Sequence, residues 1–217
     1  MLSFMRPAHP PRTQSAANNP IIYEEGRASL SFRNPGSEFL MTHVLPPTSP
    51  EHGVSIIQPP FHYHIYQNEF FHVQSGSGYF YRGTSPKPFA TLTSEPGGQS
   101  RASVKAGDYH RFENATKDTP LVVDIHLAPE DYENEQRFFR NFFGYLNDCK
   151  RAKTAPSFFQ LMVFLESADT PLAVPLPWQW IGKVASRILL FVAAGWGKWV
   201  LGYKTTYPEY YEEGKGR

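Results

Sequence analysis

His62 and His64 stand one residue apart, Glu69 follows five positions later, and Phe70-Phe71-His72-Val73 leads into Ser75-Gly76-Ser77-Gly78. Along an extended chain the side chains at i and i+2 share a face. The two imidazoles can therefore stand side by side, and a short turn can bring Glu69 back to them. Two imidazoles and a carboxylate suit a borderline divalent ion: iron, manganese, nickel or zinc. The stretch has the make-up of half a metal site. Three further histidines and an aspartate could do chemistry. On the stretch ending the β-rich region, Val122, Asp124 and His126 share one face. If that face turns inward, Asp124 and His126 are catalytic groups that orient ligands or move protons; an outward, structural role is the alternative. His43 carries the same ambiguity, and alternation from Glu69 through Phe71 and Val73 sends His72 outward.

The elements that must hold these residues are short strands. Ala28–Arg33, Glu38–Leu45, Glu69–Gln74, Gly78–Arg82, Phe89–Leu92, Arg101–Lys105, Asp108–Phe112 and Pro120–Leu127 alternate or run apolar between turn residues such as Asn34-Pro35-Gly36-Ser37. Ser75-Gly76-Ser77 reads as a hairpin turn. Strands at this spacing predict a mainly β sandwich or barrel over residues 21–128.

A second constellation follows, Gly107-Asp108-Tyr109-His110-Arg111-Phe112-Glu113-Asn114. The pattern His62-x-His64, Glu69, Gly76 resembles the first motif of the cupin superfamily, and Gly107, His110, Asn114 resembles its second. The resemblance implies a small jelly-roll barrel holding one metal ion through His62, His64, Glu69 and His110. The chain departs from the family pattern in three places. No glycine stands shortly before the paired histidines, the nearest being Gly53. Lys105 occupies the position of the usual proline, and the loop between the motifs is of ordinary length. Asn114-Ala115-Thr116 is formally a glycosylation sequon, but Asn114 belongs to the second motif and the match is read as chance.

The rest of the chain divides by composition. Residues 1–20 carry Pro7, Pro10, Pro11 and Pro20 with Arg6 and Arg12, and read as a disordered leader, with only a faint likeness to a transit peptide. Residues 129–170 hold two helices, 130–150 and 157–167, expected to pack on the barrel or on a partner subunit. Residues 171–217 begin with a proline linker and contain a helix from Trp178 to Tyr203. At 100° per residue Lys183, Arg187 and Lys198 fall within about 60° of one another, opposite Ile181, Val184, Ile188, Val192, Trp196 and Trp199. That pattern suits a helix lying in a membrane interface, or a face packed on the barrel or in a homodimer. It suits a spanning helix poorly, because each buried cation costs roughly 2.5–3.5 kcal/mol.

The formal charge of +1 gives no global electrostatic case for nucleic acid. A lone cysteine, Cys149, excludes an intrachain disulfide and points to a reducing, cytoplasmic compartment, with membrane association through the last helix as an addition. The chain as a whole is similar to single-domain cupins with a helical C-terminal extension found in fungi, some of them in secondary-metabolite clusters. That resemblance implies a small hydrophobic substrate, which Phe61, Tyr63, Tyr66, Phe80 and Phe112 would suit. The function expected is metal-dependent oxidation of the dioxygenase type, with iron as the first choice of ion. The alternatives are a metal-assisted isomerase or cyclase, and a non-catalytic ligand-binding protein at a membrane surface.

Overall fold

The alternating stretches form nine antiparallel strands among the residues described by the computed structural model, which are Leu2, Phe4, Arg6 and residues 9–216. The strands are β1 (Ile21–Tyr23), β2 (Ala28–Phe32), β3 (Met41–Leu45), β4 (Asn68–Ser75), β5 (Ser77–Arg82), β6 (Ala90–Thr93), β7 (Arg101–Val104), β8 (His110–Asn114) and β9 (Leu121–Ala128). Six make one sheet in the order β1-β2-β3-β9-β4-β7, and three make the other in the order β6-β5-β8. This is the mainly β, jelly-roll architecture expected of a cupin. β1 was not anticipated, since three residues are too few to show an alternation.

Cross-strand register fixes which side chains face inward. Glu69 lies opposite Leu127, Phe71 opposite Ile125 and Val73 opposite Val123; all six are buried. Directly paired residues point to the same side of a sheet, so this row is the inner face. Phe80 and Phe112 pair across β5 and β8, stack at 5.6 Å between ring centroids, and meet Phe71 at 5.0 and 5.7 Å. The aromatic centre of the barrel is built from these three rings.

Gly76, in the turn between β4 and β5, has φ +78°, and a Cβ on it would stand 2.6 Å from the Pro120 carbonyl oxygen. Both the left-handed backbone and the close approach require glycine. This is the physical content of the glycine in the first motif.

The chain forms two compact units, a strand-rich one of residues 19–132 and a helical one made of the described residues of 1–18 and 133–216. Its helices are α1 (Tyr132–Arg151), α2 (Phe158–Ser167) and α3 (Gln179–Gly195), the last continued by a π-helical turn, Trp196–Leu201. α1 begins with Glu133 and Glu135 and ends with Lys150 and Arg151, complementing its dipole. Its buried side mixes Phe138, Phe139 and Phe143 with Arg140, Asn141 and Asp148.

Those polar groups bind residues 13–18, part of the stretch 1–20 expected to be a disordered leader, which lies partly outside the described residues. Thr13 donates its amide to Asp148 at 2.8 Å and its hydroxyl at 2.5 Å. Ser15 and Ala16 donate to the Glu209 carbonyl. Arg140, wholly buried, donates to the carbonyls of Asn18 and Gly216 at 3.0 and 2.6 Å. Residues 13–18 are thus held by partners more than a hundred residues away, which local composition could not reveal.

Candidate metal centre

His62 and His64 lie outside the regular strands, on an extended stretch whose only ladder contact is a bridge between His62 and His110. A two-bond clamp holds it: the His62 amide donates to the His110 carbonyl at 3.1 Å, and the His110 amide returns the bond at 2.9 Å. The Gly107 amide donates to the His64 carbonyl at 2.8 Å. Three backbone hydrogen bonds therefore tie the first motif to the second. Glu69 is added by β4, whose alternation turns it inward beside Phe71.

The four side chains converge. One donor atom from each of His62, His64, Glu69 and His110 can be chosen so that all lie within 4.8 Å of one another, and all four residues are buried. Glu69 Oε2 is 2.6 Å from His110 Nε2 and 3.4 Å from His64 Nε2. The rings are aimed from behind. His62 Nδ1 lies 2.9 Å from the Pro60 carbonyl and His110 Nδ1 lies 2.8 Å from the Asp108 carbonyl. A carbonyl can only accept, so each Nδ1 carries the proton and each Nε2 keeps its lone pair for the centre.

The electrostatics agree with a cation at this point. Burial holds His62 well below the ordinary histidine value, and the neighbouring His110 and His64 lower it further. Burial alone would raise the Glu69 carboxyl, but His110 and His64 outweigh it and keep it ionised. His110 is raised, the Glu69 carboxylate overcoming the effect of burial. A buried carboxylate ringed by three imidazole nitrogens needs positive charge, which a proton on His110 or a divalent ion can supply. With bond lengths of ~2.0–2.2 Å to nitrogen and oxygen donors, one transition-metal ion fits this set after small shifts.

Asp124 and His126 are not part of this arrangement. They pair with His72 and Phe70, on the face of β9 opposite to Val123, Ile125 and Leu127. Asp124 is buried there for a different reason. It accepts hydrogen bonds from Arg33 at 2.6 Å, Thr42 at 2.6 Å and Gln74 at 2.6 Å, and its other neighbour is His72 at 3.4 Å. The inward face on which a catalytic role for Asp124 and His126 depended is therefore not the one they occupy, and the contacts of Asp124 join strands on the outer face. His72 lies on that same face, stacked on Phe39.

His43 turns inward, opposite Val123, and is 3 % exposed. Its ring centroid is 6.5 Å from that of Phe112, and burial lowers its pKa to about 4 despite the Glu69 charge. The sequence carried a signal for this, since Met41, His43 and Leu45 alternate as one apolar row. Of the aromatics expected near the site, Phe80 and Phe112 lie inside the barrel, Tyr63 is fully buried against Tyr109, and Tyr66 is 69 % exposed.

No family model matches the chain. It is 34 % identical to the "Probable oxidoreductase virH" of Hypocrea virens over 177 residues, 79 % of this chain and 75 % of that protein. It is 26 % identical to the "Probable oxidoreductase patJ" of Penicillium expansum, over 92 % of this chain and 64 % of that protein. With the "Epoxidase atD" of Aspergillus terreus the identity is 26 %, over 81 % of this chain and 57 % of that one. The chain thus spans three quarters of the first of these relatives and under two thirds of the other two. Among solved structures it is similar to a sugar phosphate isomerase from a cupin superfamily of Silicibacter pomeroyi, at 21 % identity and TM-score 0.33, over 46 % of this chain and 57 % of that one.

Proposed function

Because the chain is a cupin and belongs to the same family as the virH protein of Hypocrea virens, we propose that it is a metal-dependent oxidoreductase acting on a small hydrophobic molecule. The observation that carries the reading is the buried cluster of His62, His64, Glu69 and His110 inside the barrel. The relatives' names point to redox chemistry, and zinc has none. Iron is therefore the ion the reading favours, with manganese or nickel as alternatives.

Bound to these four side chains, such an ion would supply open positions for oxygen and substrate, and the one-electron steps that oxidation requires. The chain's own residues do the rest. The Pro60 and Asp108 carbonyls hold the imidazoles in the tautomer that presents Nε2. Glu69 contributes the negative charge that favours a cation. Phe71, Phe80 and Phe112 wall the interior with apolar surface, which supports a hydrophobic substrate and excludes bulk water from the reacting groups. His43, held neutral by burial, stands on that wall.

Metal analysis of the purified protein, with a His110→Ala variant beside it, tests the reading. Near-stoichiometric redox-active metal is expected in the wild type, and its loss in the variant without loss of β-structure by circular dichroism. Only traces of transition metal in the wild type, or full retention in His110→Ala, would overturn the assignment. Oxygen consumption with candidate hydrophobic substrates then separates oxidation from isomerisation, which needs no oxygen.

A further inference from the structure

We propose that the outward face of α3 and the π-turn that follows docks onto an anionic lipid surface, lying in the interface and not crossing it. The helix is built inside out for a helix facing water. Its buried side is mostly small, Gly182, Ser186, Ala193, Ala194 and Gly197, joined by Leu190 and Leu201. A Cβ on Gly197 would lie 2.8 Å from Val163 Cγ2 and 3.0 Å from the Phe159 carbonyl oxygen, so α2 and the turn approach at backbone distance. The Ser186 hydroxyl accepts the Val174 amide at 3.2 Å. Small residues therefore make most of the intramolecular contact, with Leu190 and Leu201, and the tryptophans and most other large apolar residues are left outside.

The outer face carries Trp180, Val184, Ile188, Phe191, Val192 and Trp199, each between 50 % and 79 % exposed. Single exposed apolar residues are ordinary, but a contiguous row of this size marks an interaction surface. Each side chain left in water forgoes about 1.5–3 kcal/mol of burial. The row continues at the end of the helix, where the amide of Leu2, 42 % exposed, donates to the Val200 carbonyl at 2.7 Å.

The chemistry of the face selects lipid as the occupant. Tryptophans stand at both ends of the helical stretch, where rings with an apolar body and an N–H favour the headgroup boundary. Lys183 and Arg187 line one flank, and no acidic residue occurs between Gln179 and Leu201. Near an anionic bilayer each such cation contributes about 1 kcal/mol. The stretch is also long and apolar enough to cross a membrane. A crossing would carry Lys183 and Arg187 into hydrocarbon at roughly 2.5–3.5 kcal/mol each, and would immerse the α2 contact that Lys198 fastens through its ion pair with Glu166. An interfacial position leaves the cations in the headgroups and α2 in water.

The test is sedimentation of the full chain with phosphatidylcholine vesicles and with vesicles that also contain phosphatidylserine. It reads binding alone and is independent of any catalytic activity. The protein is expected to pellet several-fold more with the anionic vesicles, and the excess is expected to fall as salt rises. The triple variant Trp180→Ser/Phe191→Ser/Trp199→Ser, altered only at exposed positions, should stay in the supernatant with an unchanged circular dichroism spectrum. Lys183→Gln/Arg187→Gln should bind both vesicle types alike. Three results would each overturn the proposal: wild type that stays in the supernatant with both vesicles, a wild-type dimer that the triple variant converts to monomer without lipid, or protein that remains with vesicles after alkaline carbonate.

Discussion

His43 shows how much a single inward-facing side chain can shape the behaviour of the barrel. Its imidazole resists protonation when folded, with a pKa lowered by burial from 6.5 to about 4. In the unfolded chain it titrates normally, so between pH 6.5 and 4 the unfolded state binds the extra proton. Its contribution to stability is thus intact above pH 6.5 and is lost as pH falls toward 4, by about 3 kcal/mol if the shift is fully expressed. His62 works in the same direction and His110 in the opposite one. Urea unfolding of wild type and His43→Leu across this range should show the variant losing markedly less stability in acid. Parallel curves would mean that His43 is protonated as readily folded as unfolded. At this scale the meeting of His62, His64, Glu69 and His110 was legible in the sequence. Ligand identity depends on residue type and spacing, and both motifs were intact. The aim of the rings was not legible, because the Pro60 and Asp108 carbonyls that set it are backbone atoms any residue would supply.

At the scale of elements, β9 separates two kinds of burial. Leu121, Val123, Ile125 and Leu127 face the interior, whereas Asp124 is buried on the other face by Arg33, Thr42, His72 and Gln74. The sequence alternation was visible, but not which of its two rows turned inward. The four apolar residues of the first row were the available signal. Burial of Asp124 comes from long side chains on β4 and around β2 and β3 closing over it, a cross-strand arrangement that no local pattern encodes. Asp124→Ala should therefore lower stability by about 2–3 kcal/mol, since it removes several hydrogen bonds to one charged group, while leaving metal stoichiometry untouched. Loss of metal together with a normal unfolding midpoint would return Asp124 to the catalytic centre.

For the molecule as a whole, the helical unit is held together by its ends. Arg140 binds the carbonyls of Asn18 and Gly216, so the beginning and the end of the chain share one anchor. Arg140→Met keeps the apolar stem and removes the donors, losing hydrogen bonds from a charged group worth about 1.5–3 kcal/mol apiece. Limited proteolysis should then cut both near residue 16 and near residue 215, in step, with metal content unchanged because every partner of Arg140 that has been named belongs to the helical unit. Cleavage at one end only would show that the two are secured separately. The strand-rich and helical halves were separable by composition from the start. The closure of the helical half on the first residues was not, because it depends on contacts between positions at opposite ends of the chain.

The tryptophans of α3 and its π-turn have an optical consequence. All four in the protein, Trp178, Trp180, Trp196 and Trp199, belong to this one stretch and are at least half exposed. Indole emission is therefore a reporter of a single surface: it starts from a water-like spectrum, would shift to the blue if lipid covered the face, and stays silent while the barrel melts. An unfolding curve recorded by tryptophan fluorescence would describe the wrong half of the protein, and tyrosine emission or far-ultraviolet dichroism is the signal that follows the barrel.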